Sequence, residues 1–299
     1  MNDRIPTVSL KDLVEVGAYY GHKKTRRRPK MEPYLYAEQE GMDIIDLRQT
    51  QGLMQRALEE IYKVAKNNGK ILFVGTKSQA KDLVAEYAQK CGQHYVNTRW
   101  LGGILTNWHT IAKSINSLEQ KEQLLADEEK LAAYTKKEIL QITRQKDKLL
   151  ATLGGIRNLN GLPDLLIVID TNREDLAIKE GAKLGVKIVA IVDSNASPDD
   201  VDFIIPANDD AIKAIRFYCE LMSNAVLLGI EDSLKEAGVD VKTFSAKTAP
   251  VVGYTNKSKH TKKINTPKTT SGYQVKSDVS DDNLEKIMAT NSVSKTPAN

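Results

Sequence analysis

Short apolar runs alternate with amphipathic segments along most of the chain. The continuous apolar runs at 70–76, 164–170 and 187–193 predict strands that are covered on both faces. The predicted strands lie at 42–47, 70–76, 94–97, 164–170, 187–193 and 202–206, and the predicted helices at 10–16, 50–66, 78–91, 174–184 and 210–230. This alternation predicts an α/β fold with a doubly wound, mostly parallel sheet of the flavodoxin or Rossmann type.

A different pattern separates the two halves of this alternation. Over residues 104–153 proline is absent, apolar residues are widely spaced, and charged residues fill most of the other positions. We predict two helices in an inserted, protruding αα-hairpin, with a break near Asp127 or near Tyr134–Thr135. Thr135 and Glu138 have the spacing of a capping box that begins the second helix.

The predicted domain organisation follows from these patterns. A discontinuous α/β core comprises residues 1–103 and 154–235, and the hairpin arm comprises residues 104–153. Residues 236–299 form a C-terminal extension that is rich in Thr, Ser, Lys and Asn and lacks a sustained hydrophobic period. We predict that this extension is largely disordered in isolation, as a solvated appendage or as a second contact to the partner of the core.

Composition limits the class of protein. The chain has 299 residues, of which 41% are hydrophobic, so it can bury a core. Cys91 and Cys219 are far apart in the sequence, which disfavours a disulfide framework and favours a reducing compartment. No apolar run reaches the ~18 residues of a membrane span, and the N-terminus has no apolar signal segment. These features predict a cytoplasmic protein.

The net charge is only +4, but basic residues concentrate in one eight-residue segment. It contains six cations and no acid: Lys23, Lys24, Arg26, Arg27, Arg28 and Lys30. Binding a polyanion would relieve their mutual repulsion and release counterions, so nucleic acid is the expected partner. The alternative is a solvated surface. A membrane surface is less favoured, because no apolar helical face accompanies the run.

Both tryptophans lie in one stretch, "RWLGGILTNW", at residues 99–108. We interpret it as a rigid elbow where the sheet becomes the arm, with Trp100 and Trp108 as wedges, Arg99 facing a phosphate, and Thr106 and Asn107 capping the first helix of the arm. The candidate RNA-binding residues beyond the basic segment are Arg99, Trp100, Lys113, Lys136, Lys137, Arg144, Lys146 and Lys148.

Enzyme motifs are weak. Gly75-Thr76-Lys77-Ser78 follows a predicted strand, as in a phosphate-binding loop, but the full GxxxxGK[ST] pattern is absent, and no GxGxxG or GxSxG occurs. The alternative is a strand-to-helix turn in which Thr76 or Ser78 is the N-cap.

Metal ligands are a second open possibility. Asp193 and Asp209 follow predicted strands whose carboxyl ends meet at one sheet edge, where His22 could join them around a divalent ion. Asp210 adjoins this set. Turn hydrogen bonds, or charge compensation by Lys or Arg, are the alternative. Cys91 and His94 have CxxH spacing without a second half-site, which favours core packing.

Five linked motifs occur in order: "VSLKDLVEVGAYYGHKKTRRRPKMEPYLYAE", "KILFVGTKSQAKDLV", "YVNTRWLGGILTNWHTI", "GGIRNLNGLPDLLIVID" and "AIVDSNASPDDVDFIIPANDDAIKAI". Over roughly residues 7–235 they resemble the bacterial-type S-two family, the second protein of the small ribosomal subunit. The resemblance implies a doubly wound α/β domain with a helical hairpin, no catalysis, binding to small-subunit rRNA, and contacts with neighbouring ribosomal proteins, among them the large S-one protein.

The chain departs from the family pattern at three places. Arg27-Arg28 replace the usual Trp-Asn, Lys187 stands where proline is common, and Ala207 stands where glycine is usual. Three functions stay open: a structural RNA-binding protein without a cofactor in a bacterial or organellar ribosome, a nucleotide- or sugar-phosphate-binding enzyme, and a protein-docking adaptor. The first agrees with both the charge pattern and the resemblance.

Overall fold

Eight strands and eight α-helices make up residues 4–238, the part of the chain that the computed structural model describes. The strands are β1 (Tyr20–Lys23), β2 (Leu35–Gln39), β3 (Met42–Ile45), β4 (Ile71–Val74), β5 (His94–Val96), β6 (Leu165–Ile169), β7 (Lys187–Val192) and β8 (Phe203–Pro206). The helices are α1 (Leu10–Glu15), α2 (Leu47–Lys66), α3 (Lys81–Lys90), α4 (Trp108–Ala126), α5 (Glu128–Leu131), α6 (Lys136–Leu153), α7 (Asp175–Leu184) and α8 (Ile212–Glu236).

Five of the strands form one parallel sheet in the order β5-β4-β6-β7-β8. In order of appearance along the chain this is 2-1-3-4-5, the flavodoxin-like arrangement, and its topological switch point lies between β4 and β6. The predicted fold class is therefore confirmed. The loops that follow the carboxyl ends of these strands converge on one edge of the sheet, where ligands of such folds bind.

The sheet has a separate hydrophobic core on each face. Alternate strand residues such as Phe73 and Ile167 pack with helices α2, α3 and α8, whereas Leu72 and Leu166 pack with α7 and the base of the arm. Because β4, β6 and all of β7 after Lys187 are buried, their sequences are continuous apolar runs, which is why the pattern identified them.

A second, antiparallel sheet of order β1-β3-β2 was not predicted beyond its central strand. Its edge strand β2 is almost entirely exposed, so its sequence "LYAEQ" has no buried face to produce an alternating pattern. This small sheet matters for function because β1 leads directly into the basic segment of residues 23–30.

The arm consists of α4 and α6, which pack against each other, with the single turn α5 between them. Both predicted break positions are confirmed, since α4 ends before Asp127 and α6 begins after Thr135. Thr135 and Glu138 form the predicted capping box. The described residues 4–238 belong to one compact unit. The proposed division into core and arm stays a prediction, and the predicted extension lies outside the described residues from residue 239 on.

Several boundaries differ from the prediction. Helix α8 extends to Glu236, two turns beyond its predicted end, and α3 begins only at Lys81. The N-cap of α3 is Ala80, which makes no side-chain cap, so the predicted Thr76 or Ser78 cap is wrong. Within residues 4–238, no helix combines the length and apolarity needed to cross a membrane.

Candidate nucleic-acid interface

The basic segment lies across the carboxyl end of β7 and is tied to it by its backbone. The His22 N–H donates to Ser194 Oγ at 2.7 Å, and the Arg28 N–H donates to the Ser194 carbonyl oxygen at 2.9 Å. A single turn of 3-10 helix at Lys24–Arg26 lies between these two hydrogen bonds, and a six-residue 3-10 helix, Pro29–Tyr34, follows them. These hydrogen bonds therefore fix the backbone positions from which the cationic side chains extend.

Three of the six cations are paired with acids that are distant in sequence or lie on the neighbouring strands. Lys24 contacts Glu38 at 2.7 Å, and Lys30 contacts Asp199 at 2.6 Å. Arg27 binds the fully buried Asp43 carboxylate through Nε, 3.0 Å from each carboxylate oxygen, and also through its terminal Nη2. This contact with Asp43 raises the pKa of Arg27, although desolvation opposes it.

The three remaining cations, Lys23, Arg26 and Arg28, are exposed and form no ion pair with any residue between 4 and 238. Paired and unpaired cations thus alternate along the segment. The sequence predicted one continuous run of mutually repelling cations, whereas the structure pairs Lys24, Arg27 and Lys30 with carboxylates and leaves the other three exposed without an ion pair.

The elbow at residues 99–108 is organised by one buried carboxylate. Glu180 of α7, 6% exposed, accepts hydrogen bonds from the backbone N–H groups of Gly103, Leu105 and Thr106, at 2.7, 3.0 and 3.1 Å. It also accepts from Trp100 Nε1 at 3.1 Å and from the Thr106 hydroxyl. Burial by itself would raise the pKa of Glu180, but these hydrogen bonds outweigh it and lower the pKa below its ordinary value.

This arrangement fits the wedge role predicted for Trp100 and speaks against its direct contact with RNA. The indole is 7% exposed and its N–H donates a hydrogen bond to Glu180. It therefore stabilises the elbow and cannot stack on a base in this conformation. Arg99, by contrast, is exposed, as predicted for a phosphate contact. Asn107 is the N-cap residue of α4 but makes no side-chain cap, and the Thr106 hydroxyl is bound to Glu180, so neither caps the arm as predicted.

The candidate cations of the arm lie on exposed positions of α4 and α6. Exposed cations without an ion pair among the described residues are Lys113, Lys136, Lys137, Arg144 and Lys148. Lys146 is partly buried and contacts Asp147 at 3.0 Å. Among these candidates the arm therefore presents one unpaired cation on α4 and four on α6, separately from the basic segment at the sheet edge.

The switch point of the sheet is filled by an ion-pair cluster around Lys77. Its Nζ lies 2.6 Å from Asp209, 2.6 Å from Asp210 and 3.3 Å from Asp170. Burial lowers the pKa of Lys77, but the carboxylates more than compensate and raise it. Burial, with Asp170 and Asp193 nearby, raises the pKa of Asp209 to about 7, although Lys77 opposes this shift. Lys77 is thus bound to carboxylates and not displayed for a phosphate.

Thr76, the neighbour of Lys77, also has its polar groups hydrogen-bonded within the protein. Its N–H and hydroxyl donate to the buried Glu174 carboxylate at 2.8 and 2.6 Å, and Arg173 Nε donates to the Thr76 hydroxyl oxygen at 2.8 Å. Burial, the largest effect, raises the pKa of Glu174 despite these hydrogen bonds. The turn after β4 is therefore a polar brace between β4 and α7.

The predicted metal ligands come together in part. His22 Nδ1 lies 3.1 Å from Asp193 Oδ2, and His22 Nε2 lies 3.4 Å from Asp210 Oδ2. Contact with Asp193, and to a smaller degree Asp210, raises the pKa of His22 although burial opposes it. Asp209, the third candidate ligand, lies outside this group, since its carboxylate is bound to Lys77; Asp210 lies beside His22 instead.

A cleft of about 460 Å³ opens beside Arg28 at the same edge of the sheet. Asp175, Asp199 and Asp200 line it together with Arg28 and Lys179. Since acids outnumber bases on its walls, an anion such as a nucleotide phosphate would meet repulsion there. The unpaired cations of the basic segment, of which Arg28 also lines this cleft, are a better match for a polyanion than the cleft as a whole is.

Glu180 and the acids that pair with the basic segment were not identified from the sequence. Glu180 lies 74 to 80 residues from its partners, and nothing local marks it. Asp43 did carry a signal, because an acid inside the apolar run "MDIIDL" must be partnered if the run is buried. The pairing of Lys30 with Asp199 depends on a loop contact across 169 positions.

Fold and surface together define a doubly wound α/β scaffold protein that carries fixed cations at one sheet edge and on an inserted arm. The family model described as "Ribosomal protein S2" matches residues 13–229. A "Small ribosomal subunit protein uS2" of Rickettsia bellii (strain OSU 85-389) is 51% identical over 287 residues, covering 93% of this chain and 99% of its own. The chain belongs to the ribosomal protein S2 family.

Other relatives give the same result. The proteins with that name from Rickettsia massiliae (strain Mtu5) and Rickettsia peacockii (strain Rustic) are 55% and 56% identical, covering 86% and 82% of this chain and 87% and 83% of their own. The resemblance inferred from the motifs is thus confirmed, and the chain is a ribosomal protein of the small subunit. The Rickettsia bellii match covers more of the chain than residues 1–238 contain, so the similarity continues into the C-terminal extension.

Proposed function

We propose that this chain is a structural constituent of the bacterial small ribosomal subunit that binds small-subunit rRNA through two cationic surfaces and catalyses no reaction. The first surface is formed by Lys23, Arg26 and Arg28. The second comprises Arg99 of the elbow and the arm residues Lys113, Lys136, Lys137, Arg144 and Lys148. The names and bacterial sources of the relatives support the ribosomal location.

The observation that carries the proposal is the alternation of paired and unpaired cations in the basic segment. Lys24, Arg27 and Lys30 anchor the backbone of the segment to acids, so that the exposed, unpaired Arg26 and Arg28 start from ordered backbone and less chain entropy is lost when RNA binds. Phosphate contacts of this kind fix the position and orientation of a protein on RNA without reading its sequence. A preorganised cationic edge suits folded RNA, which is recognised largely by shape.

The test is the salt dependence of binding to small subunits that lack this protein. The slope of log K against log salt changes by ~0.7–0.9 for each phosphate that the protein no longer neutralises. The double variant Arg26→Ala/Arg28→Ala should therefore lower the magnitude of the slope by about 1.4–1.8. Co-sedimentation at several ionic strengths measures it.

The matched control is Lys90→Ala/Lys235→Ala. It removes the same net charge from exposed lysines that are already paired on their own helices, Lys90 with Glu86 and Lys235 with Glu231. The control slope should equal that of the unmodified chain. Equal slopes for all three proteins would remove the basic segment from the interface.

The proposal includes docking of neighbouring ribosomal proteins, among them the large S-one protein. It is supported by the exposed apolar side chains at the distal part of the arm, where Tyr134 and Leu140 are 40% and 50% exposed. Pull-down of ribosomal proteins with and without nuclease tests it. Partners that are retained after nuclease treatment, and absent with the Tyr134→Ser/Leu140→Ser variant, would support direct docking, whereas disappearance of every partner together with the RNA would contradict it.

A further inference from the structure

The cleft beside Arg28 has the size of a ligand site. It lies between the loop that follows β6 and the loop that joins β7 to β8, so that Thr171 and Asn172 line it on one side and Asp199 and Asp200 on the other. Its volume of about 460 Å³ falls within the roughly 300–1,000 Å³ of small-ligand pockets. The cleft can therefore admit a flat group as large as a nucleobase.

Most of the acids on its walls are already paired. Asp175 contacts Lys179 at 2.6 Å, and Asp199 contacts Lys30 at 2.6 Å. Asp200 differs from both, because it is exposed and forms neither an ion pair nor a side-chain hydrogen bond with any residue between 4 and 238. Its carboxylate is therefore the acid of the cleft that is available to a ligand.

Two other polar side chains of the cleft are also available. Arg28 lines the cleft, is exposed, and forms no ion pair within the described residues. Thr171 is only 4% exposed, and its hydroxyl oxygen is buried without a hydrogen-bond partner in that same part of the chain. Buried hydroxyl groups in native proteins almost always have a partner, so a polar group or water that enters the cleft is expected to supply this one.

These side chains favour a neutral ligand over an ion. Asp200 repels an anion inside the cleft, and Arg28 repels a cation. A carboxylate only accepts hydrogen bonds, and its two oxygens can accept from two parallel N–H groups. Guanine is the one RNA base with two adjacent donors, N1–H and N2–H, on its Watson–Crick edge, which is an edge that proteins read in unpaired RNA.

We propose that this cleft binds the base of an unpaired guanine of the small-subunit rRNA, with Asp200 accepting hydrogen bonds from its N1–H and N2–H groups and Arg28 contacting the phosphate of the same nucleotide. Ile178, which lines the cleft and is 4% exposed, supplies apolar surface for the ring. Arg28 belongs both to the basic segment and to the cleft wall, which favours an RNA base over a protein side chain as the occupant. The site rests on the proposed RNA binding and adds to it a contact that reads sequence, which phosphate contacts do not.

The test measures guanine reactivity in small subunits that lack this protein and are reconstituted with the full-length chain. Kethoxal modifies N1 and N2 of unpaired guanines, so it cannot react with a guanine whose edge is bound to Asp200. We expect one guanine whose reactivity falls at least fivefold with the unmodified chain and recovers with Asp200→Asn and with Asp200→Gly. The glycine variant is expected to fold, since Asp200 has a φ of +59°, which glycine adopts more readily.

The matched control is Asp82→Asn. It removes the same charge from an exposed aspartate of α3 that does not line the cleft, and it should leave the guanine protected. Replacing the protected guanine by adenine should weaken co-sedimentation of the unmodified chain about tenfold. Asp200→Asn should recover binding to the adenine RNA, because its amide can donate to adenine N1 and accept from N6–H.

Three results would overturn the site, and they are distinguishable. Guanine reactivities that are the same with the unmodified chain and both Asp200 variants, while all three bind small subunits, would remove the base from the cleft and leave the proposed function standing. Loss of a neighbouring ribosomal protein from the subunits with both Asp200 variants, at unchanged guanine reactivity, would assign the cleft to a cationic side chain of that protein. Failure of the unmodified chain to bind small subunits at any ionic strength would overturn the proposed function and the site together.

Discussion

At the scale of single residues, the six cations of the basic segment divide into three that are paired with carboxylates and three that are exposed without an ion pair. The run from Lys23 to Lys30 is visible in the sequence because its members are consecutive. Whether a given cation is free or paired depends on acids brought near by the fold, such as Asp199 for Lys30. Local sequence patterns carry no information on such pairs. Only the structure shows which cations of the segment are paired with acids and which are not.

Arg27 should matter for stability, in contrast to Arg26. Arg27→Ala leaves the fully buried Asp43 carboxylate without its cation, which costs about 3 kcal/mol, the low end for a broken buried ion pair, because the Arg27 side chain remains 21% exposed. Arg26→Ala removes an exposed side chain and should change the free energy of unfolding by less than about 0.5 kcal/mol. Urea denaturation of both variants measures this difference. Equal stabilities would show that Arg27 does not compensate Asp43.

Glu180 should make the elbow sensitive to acid. Because hydrogen bonds lower the pKa of its folded form, its carboxylate stabilises the protein above about pH 4.3, the ordinary glutamate value, and the stabilisation disappears as pH falls through the lowered value. Glu180→Gln should cost about 2 kcal/mol at pH 7, since it removes the charge-assisted bonds to Gly103, Leu105 and Thr106.

Chemical denaturation of this variant between pH 3 and pH 7 supplies the measurement. The difference in unfolding free energy between Glu180→Gln and the unmodified chain should shrink below about pH 4. Glu86→Gln, on the exposed surface of α3, is the control and should cost little at any pH. A gap that stays constant across this range would mean that Glu180 is not ionised in the folded protein.

At the scale of elements, a helix or strand could be predicted where its buried residues recur at a regular spacing in the sequence. The parallel strands and the arm have strong patterns, and their types were predicted correctly. The edge strand β2 and the end of α8 were not, since exposed backbone and partly polar turns give no pattern. Gly229 lies inside α8 because the helix packs against α2, where a Cβ would lie 2.6 Å from the Tyr62 carbonyl oxygen. Such close helix contacts are not visible in one sequence.

The junction of arm and core should tolerate no side chain at Gly155. A Cβ there would lie 2.1 Å from the Tyr95 carbonyl oxygen of β5, which is backbone and cannot rotate away. Gly155→Ala should therefore destabilise the protein by at least about 2 kcal/mol. Gly52→Ala is the control of opposite sign, because Gly52 is exposed in α2 with no atom within 4 Å of a new Cβ, and it should stabilise by about 0.5–1 kcal/mol.

Thermal unfolding of both glycine variants provides the comparison. Neutral behaviour of Gly155→Ala would show that the arm shifts freely relative to β5. The position of the arm would then not be fixed at its base, and the cations of α4 and α6 would lose their preorganisation relative to the elbow.

At the scale of the whole molecule, fold class alone left an enzyme and a scaffold equally open, since one fold serves many functions. The sequence correctly predicted strands whose carboxyl ends converge, and it predicted acids there. Lys77 and Thr76 resemble part of a phosphate loop. The sequence could not show that both are bound to carboxylates that lie beyond the ends of other strands. Those contacts span 93 to 133 positions, so the distinction between a nucleotide site and an internal ion-pair cluster emerges only from the three-dimensional arrangement.

Nucleotides should therefore not stabilise this protein. A ligand present at 100 times its Kd adds about 2.7 kcal/mol to the free energy of unfolding, which moves Tm by several degrees. ATP with Mg²⁺, or NAD, at millimolar concentration should leave Tm unchanged, because a phosphate would have to displace Asp209 and Asp210 from Lys77. Small-subunit rRNA in the same assay should raise Tm and shows that the assay can detect binding. A nucleotide-dependent rise in Tm that disappears in Lys77→Met would support the alternative of a nucleotide-binding enzyme, since only a phosphate bound at this lysine would produce that pattern.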